Sequence, residues 1–141
     1  MNPFESIPVG DYGAEVTRLG MGGVFISGRG PADGSAEAPA YETGLATIAK
    51  AHEVGIKSFD TAPLYGNGRS EARYGKVLGR YPRDSFVLSS KVGRVLVPDE
   101  DDPGEWAVDG IPHLTAKFDL SRDGILRALD EGLERSGLDH V

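Results

Sequence analysis

Three times along this chain a short apolar run gives way to a helical stripe, and that alternation limits the fold more than any other feature. A first extended stretch ends at Leu19-Gly20-Met21-Gly22-Gly23. From Tyr41 the period changes, with Tyr41, Leu45, Ile48, Ala49 and His52 on one helical face and Gly55 as a C-terminal stop. Ile56 to Asp60 reads as a second strand. Ser70-Glu71 opens a second helix, whose apolar positions Tyr74, Val77, Leu78 and Tyr81 repeat at helical spacing until Pro82 forbids continuation. Phe86 to Ser90 reads as a third strand. A third helix, capped by Ser121 or Asp119 and closed by Gly137, carries Ile125, Leu126, Leu129 and Leu133 as its core stripe, with Arg122, Arg127, Asp130, Glu134 and Arg135 facing solvent. Leu138 to Val141 reads as the entrance to a fourth strand.

Strands and helices in this order make parallel βαβ units, so the fold class is α/β, as either an open doubly wound sheet or a closed barrel. Ahead of the first unit, Ile7 to Leu19 folds back around Gly10-Asp11-Tyr12-Gly13 as a hairpin. Between the third strand and third helix, Val92 to Phe118 reads as a long acidic loop holding Trp106; loops of that length are functional or disordered.

Charge and residue types exclude several functions. The chain has 22 acidic and 15 basic side chains and a formal charge of −7, a poor match to nucleic acid or anionic membrane. It has no cysteine, so neither a disulfide framework nor a cysteine nucleophile can be written, and the histidines are not spaced for a metal site. Asp99-Glu100-Asp101-Asp102 is contiguous, without the alternate spacing of a calcium loop, and Gly28 to Gly34 lacks the Gly-Lys-Ser/Thr ending of a phosphate cradle. With no apolar run long enough to span a bilayer and no leader-like start, a cytoplasmic protein is expected.

Asp60 falls at the end of the second predicted strand and Lys91 at the end of the third, 31 positions later. Adjacent parallel strands would place the carboxylate and ammonium side by side, on the rim where such folds put active sites. Tyr65, on the loop after Asp60, leans over the same rim. A lysine cation beside a phenol favours the phenolate, and Asp60 would hold that lysine charged, giving a proton-exchange device for a carbonyl or alcohol oxygen. Taken singly, each residue is more simply a cap, a loop aromatic or a solvated charge; the joint placement is what counts against that.

The runs Phe59-Asp60-Thr61-Ala62-Pro63-Leu64-Tyr65-Gly66-Asn67-Gly68-Arg69-Ser70-Glu71 and Leu88-Ser89-Ser90-Lys91-Val92-Gly93-Arg94 resemble the aldo-keto reductase superfamily signature. The resemblance implies a (β/α)8 TIM barrel of ~250 residues. Residues 1–141 would be the N-terminal part of that single domain, holding the hairpin and roughly three βα units. It implies an NAD(P)-dependent oxidoreductase with Asp60, Tyr65 and Lys91 as three members of a catalytic tetrad. Gly22, Gly23 and Val24, with Asp60, would border the nicotinamide of NAD or NADP. The tetrad's histidine would lie a few positions past Val141, a place that neither His113 nor His140 occupies, so the 141 residues alone are expected to be inactive. Ala62-Pro63-Leu64-Tyr65, Lys91-Val92-Gly93-Arg94 and the following loop are similar to the aldose 1-dehydrogenase branch, which includes fucose and pyridoxal dehydrogenases. That implies a sugar hemiacetal, alcohol or aldehyde as substrate, with Tyr65 and Trp106 against it.

Two alternatives stand beside this reading. One is a non-catalytic cofactor-binding or regulatory module on the same scaffold. The other is a flavodoxin-like domain, which needs five strands where about three and a half can be counted. An unclosed barrel should also expose unpaired backbone and the apolar faces of Phe86 and Leu88, so association of the isolated chain is expected.

Overall fold

A computed structural model describes residues 2–11, 13–27, 37–101 and 113–141. Strands β1 (Ser6–Val9) and β2 (Ala14–Thr17) form the expected antiparallel hairpin, with Ile7 opposite Val16 and the turn entered and left through glycines of positive φ, Gly10 and Gly13. Buried Thr17 joins the hairpin to the next layer: its hydroxyl donates to the Leu19 carbonyl at 2.7 Å and accepts from the Lys57 amide at 3.0 Å.

Strands β3 (Gly20–Gly22), β4 (Ser58–Asp60) and β5 (Val87–Ser89) form a parallel sheet in the order β3-β4-β5. Helices α1 (Glu37–Glu53) and α2 (Arg69–Leu78) are the crossovers between them. The core lies between this sheet and the two helices, with Ile48, Phe59, Tyr74, Leu78, Phe86 and Leu88 buried. Phe59 meets Tyr74 edge-on with ring centroids 5.7 Å apart, a favoured aromatic geometry. His52 stacks on Tyr81 at 3.8 Å and bonds Ser85, so it is a packing residue. Among the described residues no helix is long and apolar enough to cross a membrane.

Several sequence expectations are corrected. Helix α1 starts at Glu37, ahead of Tyr41. Ser70 is not the cap of α2: Gly68 occupies that position with no side-chain bond, and Ser70 is buried in the first turn, where it accepts from Thr61. The segment read as one long loop contains an antiparallel hairpin, β6 (Arg94–Pro98) and β7 (Leu114–Phe118), with Val95 and Leu96 buried. Val95-Leu96-Val97 and the alternation through Leu114-Thr115-Ala116-Lys117-Phe118 carried that signal, masked by the surrounding prolines and acids. Trp106 lies outside the described residues, as does the Gly28 to Gly34 loop.

Helix α3 (Arg122–Ser136) is capped as expected, with the Ser121 hydroxyl accepting from the Gly124 amide and Asp119 in turn accepting from Ser121. Its buried face is different from the expected stripe. Gly124, Ala128, Gly132 and Ser136 face inward, whereas Ile125 and Leu126 are exposed. A Cβ on Gly75 of α2 would land on the Ser136 carbonyl, so the two backbones touch there, while a Cβ on Gly132 would crowd the Glu71 carboxylate and one on Gly124 the Asp119 side chain. Arg135, assigned to solvent by its charge, is largely buried in an ion pair with Glu71 at 2.7 Å. Phe86 and Leu88 are not exposed at an open edge but are only 3% and 1% accessible. Residues 138–141 form no strand.

Candidate active site

The loop after β4 is shaped by its glycines. Gly66, Asn67 and Gly68 take φ values of 62°, 50° and 91°, a left-handed run that glycine and asparagine tolerate and β-branched residues do not. The run turns the chain back on itself, with the Gly68 amide donating to the Pro63 carbonyl at 2.8 Å and the Ser70 amide to the Tyr65 carbonyl at 3.1 Å. Tyr65 is thereby held half-buried over the strand ends. Asn67 donates to the Leu114 carbonyl, so the β6–β7 hairpin is tied to the Tyr65 loop.

Strand register supplies the rest. Asp60 pairs with Gly22 on one side and Ser89 on the other, at the C-terminal ends of all three parallel strands. Two residues past Ser89, the Lys91 ammonium donates to both carboxylate oxygens of Asp60, at 2.9 and 2.8 Å, and to the Thr61 carbonyl at 2.9 Å. The Ser89 hydroxyl adds a bond to Asp60 at 2.9 Å. The same ammonium lies 4.7 Å from the centre of the Tyr65 ring. The structure therefore brings Asp60, Tyr65 and Lys91 together on one rim.

Burial works to lower the Lys91 pKa, but the Asp60 hydrogen bond, the Tyr65 hydroxyl and the charges of both outweigh it, and the pKa is raised. Lys91 is a cation throughout the neutral range. Its side chain is 47% exposed and that of Asp60 45%, and pairs as open as this contribute about 0–1 kcal/mol to stability. Placement of charge beside the phenol, more than stability, is what the pair accomplishes.

The three residues Gly22, Gly23 and Val24, at the end of β3 and just past it, divide. Gly22 is exposed beside Asp60, and a Cβ built on it would meet nothing within 4 Å; Val24 is 47% exposed. Gly23 is buried, where a Cβ would crowd Ser70, the Asp60 carbonyl and the Tyr74 ring. Its lack of a side chain is a packing requirement. Thr61 and Ser89, which share Lys91 and Asp60 with the predicted set, carried no sequence signal beyond standing next to it. Among the described residues no cluster of His, Asp or Glu could hold a metal ion.

Residues 18–141 match the sequence profile of the Aldo/keto reductase family. The chain belongs to that family. It is 41% identical over 101 residues to a D-threo-aldose 1-dehydrogenase from a Pseudomonas species, a match covering 68% of this chain and 31% of the relative. It is 31% identical to L-galactose dehydrogenase of Arabidopsis thaliana, covering 100% of this chain and 37% of the relative. Pyridoxal 4-dehydrogenase of Microbacterium luteolum is 30% identical, with 97% and 41% covered. The chain thus spans about a third to two fifths of the length of these relatives.

Among solved structures, an aldo-keto reductase from Pseudomonas aeruginosa superposes with a TM-score of 0.69 at 30% identity, over 96% of this chain and 44% of that one. One from Klebsiella pneumoniae, in complex with NADPH, matches with a TM-score of 0.60 at 22% identity, over 91% and 34%. The fold class is accordingly the (β/α)8 barrel of the aldo-keto reductases, of which β3, β4 and β5 with their helices are a partial set.

Proposed function

We propose that the full-length protein carrying this chain is an NAD(P)-dependent oxidoreductase that moves hydride between a nicotinamide and a sugar hemiacetal, alcohol or aldehyde. The observation that supports this best is the convergence of Asp60, Lys91 and Tyr65 at the C-terminal ends of the strands, in a chain of this family. The names of the aldose, galactose and pyridoxal dehydrogenases among its relatives point to the same substrate classes.

In the proposed site, Tyr65 exchanges the proton on the reacting oxygen. Lys91 places a fixed positive charge beside the phenol, and Asp60 fixes that lysine by accepting two of its hydrogen bonds. The bound nicotinamide supplies or takes up the hydride. Gly22 fits such a group because it leaves open space next to Asp60; with Gly23 behind it and Val24 exposed beyond, it would border the ring. The cofactor would be NAD or NADP: an Escherichia coli relative is an NADH-specific methylglyoxal reductase, and the Klebsiella protein was solved with NADPH.

The test is turnover of the full-length protein on L-galactose and pyridoxal with NAD+ or NADP+, and on methylglyoxal with NADH or NADPH. Tyr65→Phe should lower kcat by about 10²-fold or more, the size of a general acid–base contribution, while cofactor binding followed by fluorescence stays intact. A Tyr65→Phe protein that keeps its turnover, or a wild type with none, sinks the reading; the latter with intact cofactor binding favours a cofactor-binding module.

A further inference from the structure

Beneath the candidate site lies a buried carboxylate that the proton-exchange scheme leaves unused. Glu71, with its side chain 2% exposed, accepts from the Ser90 hydroxyl at 3.0 Å through Oε1 and from Arg135 Nε at 2.7 Å through Oε2. Room for it is made by Gly132 of α3, where a Cβ would lie 2.9 Å from Glu71 Oε1. Ser90 immediately precedes Lys91, yet the two side chains have different partners: Ser90 bonds Glu71 of α2 and Lys91 bonds Asp60. Ser90 can therefore be gripped from the helix layer while Lys91 reaches Asp60 on the rim.

A second tether reaches the same place. The Lys91 ammonium donates to the Thr61 carbonyl, and the Thr61 hydroxyl donates to Ser70, the residue before Glu71. Both the backbone and the amine of Lys91 are thus referred to the first turn of α2. We propose that Glu71 is a positioning residue for Lys91, acting through Ser90 and itself locked by Arg135 of α3, a role that rests on the oxidoreductase reading above. The carboxylate touches no reacting atom. Its effect is to hold the end of β5 at a fixed height against α2, so that the ammonium bridges Asp60 and Tyr65 without a search. Displacement of a catalytic group by about 1 Å is enough to cost up to ~10²-fold in rate.

The test is a double-mutant cycle in the full-length protein with the substrates above. Ser90→Ala should lower kcat by about tenfold with little change in KM, and Ser90→Thr, which keeps the hydroxyl, should recover most of it. In a Lys91→Met background the same Ser90→Ala change should alter the residual rate by less than about twofold, because the group being positioned is gone. Glu71→Gln, which keeps an acceptor for Ser90, should lie between wild type and Ser90→Ala; if it does not fold, the Ser90 pair carries the test alone. Equal losses in both backgrounds, or no loss in either, overturn the positioning role. Failure of the oxidoreductase reading shows separately, as turnover that survives Tyr65→Phe.

Discussion

Adjacent glycines at the end of β3 do opposite work. Gly22 faces open space beside Asp60, so Gly22→Ala should leave stability within about 0.5 kcal/mol of wild type, as surface changes do. A ring lying on that surface would nonetheless be pushed away, and the cofactor Kd should rise. At Gly23 a Cβ would stand 2.8 Å from both the Asp60 carbonyl and the Tyr74 ring, so Gly23→Ala should cost about 1–3 kcal/mol of overpacking. Thermal melts with a cofactor titration on each variant separate the two effects, and the assignment of Gly22 fails if its variant binds cofactor as wild type does. Both glycines were marked in the sequence as flanking a ligand. Which of them turns inward depends on the registry of β3 against α2, and no local pattern contains that.

Between elements, α2 and α3 approach until their backbones touch. A side chain on Gly75 would land on the Ser136 carbonyl, and the Cβ would come within 2.7 Å of the Ser136 Cα. Two helix backbones this near cannot both move aside, so Gly75→Val should destabilise by about 3 kcal/mol, the upper range of overpacking, and should lower the Tm accordingly. A melt within a degree or two of wild type would mean that the helices are not in this contact. The leucine stripe of α3 is not its buried face. Periodicity finds the most apolar face, but the face that α3 buries is the one with the smallest side chains, Gly124, Ala128, Gly132 and Ser136, with Ser136 against the Gly75 backbone and Gly132 against the Glu71 carboxylate. The same packing brings Arg135 to the buried carboxylate of Glu71, two charges that local patterning places in solvent.

For the whole molecule, β3 and β5 lie at the two ends of a three-stranded parallel sheet. Parallel sheets are stable when covered and closed, and three strands cannot close a barrel. Leu19, Met21, Ala46, Ala51, Val54 and Ile56 line an open groove along β3, with Leu19 and Val54 almost half exposed. We expect the purified 141-residue chain to associate rather than run as a monomer in size-exclusion chromatography with light scattering. It should show no turnover with either nicotinamide. A monomeric, active preparation would contradict both expectations. Introducing Val54→Lys in the groove should shift the chain toward smaller species.

The sequence by itself determined the order of hairpin, strands and helices, the pairing of Asp60 with Lys91 one βαβ unit apart, and the loop that carries Tyr65. Each of these is written in short-range terms: hydrophobic period, glycines that permit positive φ, and a repeat length equal to one crossover. The tertiary structure alone decided that Gly23 packs inward, and that Glu71, Ser90 and Arg135 meet beneath Lys91. Those are contacts between residues 19 to 64 positions apart, or between faces whose burial depends on what arrives from elsewhere in the chain. Local propensity has no access to them, because the free energy that selects them appears only when separate layers are pressed together.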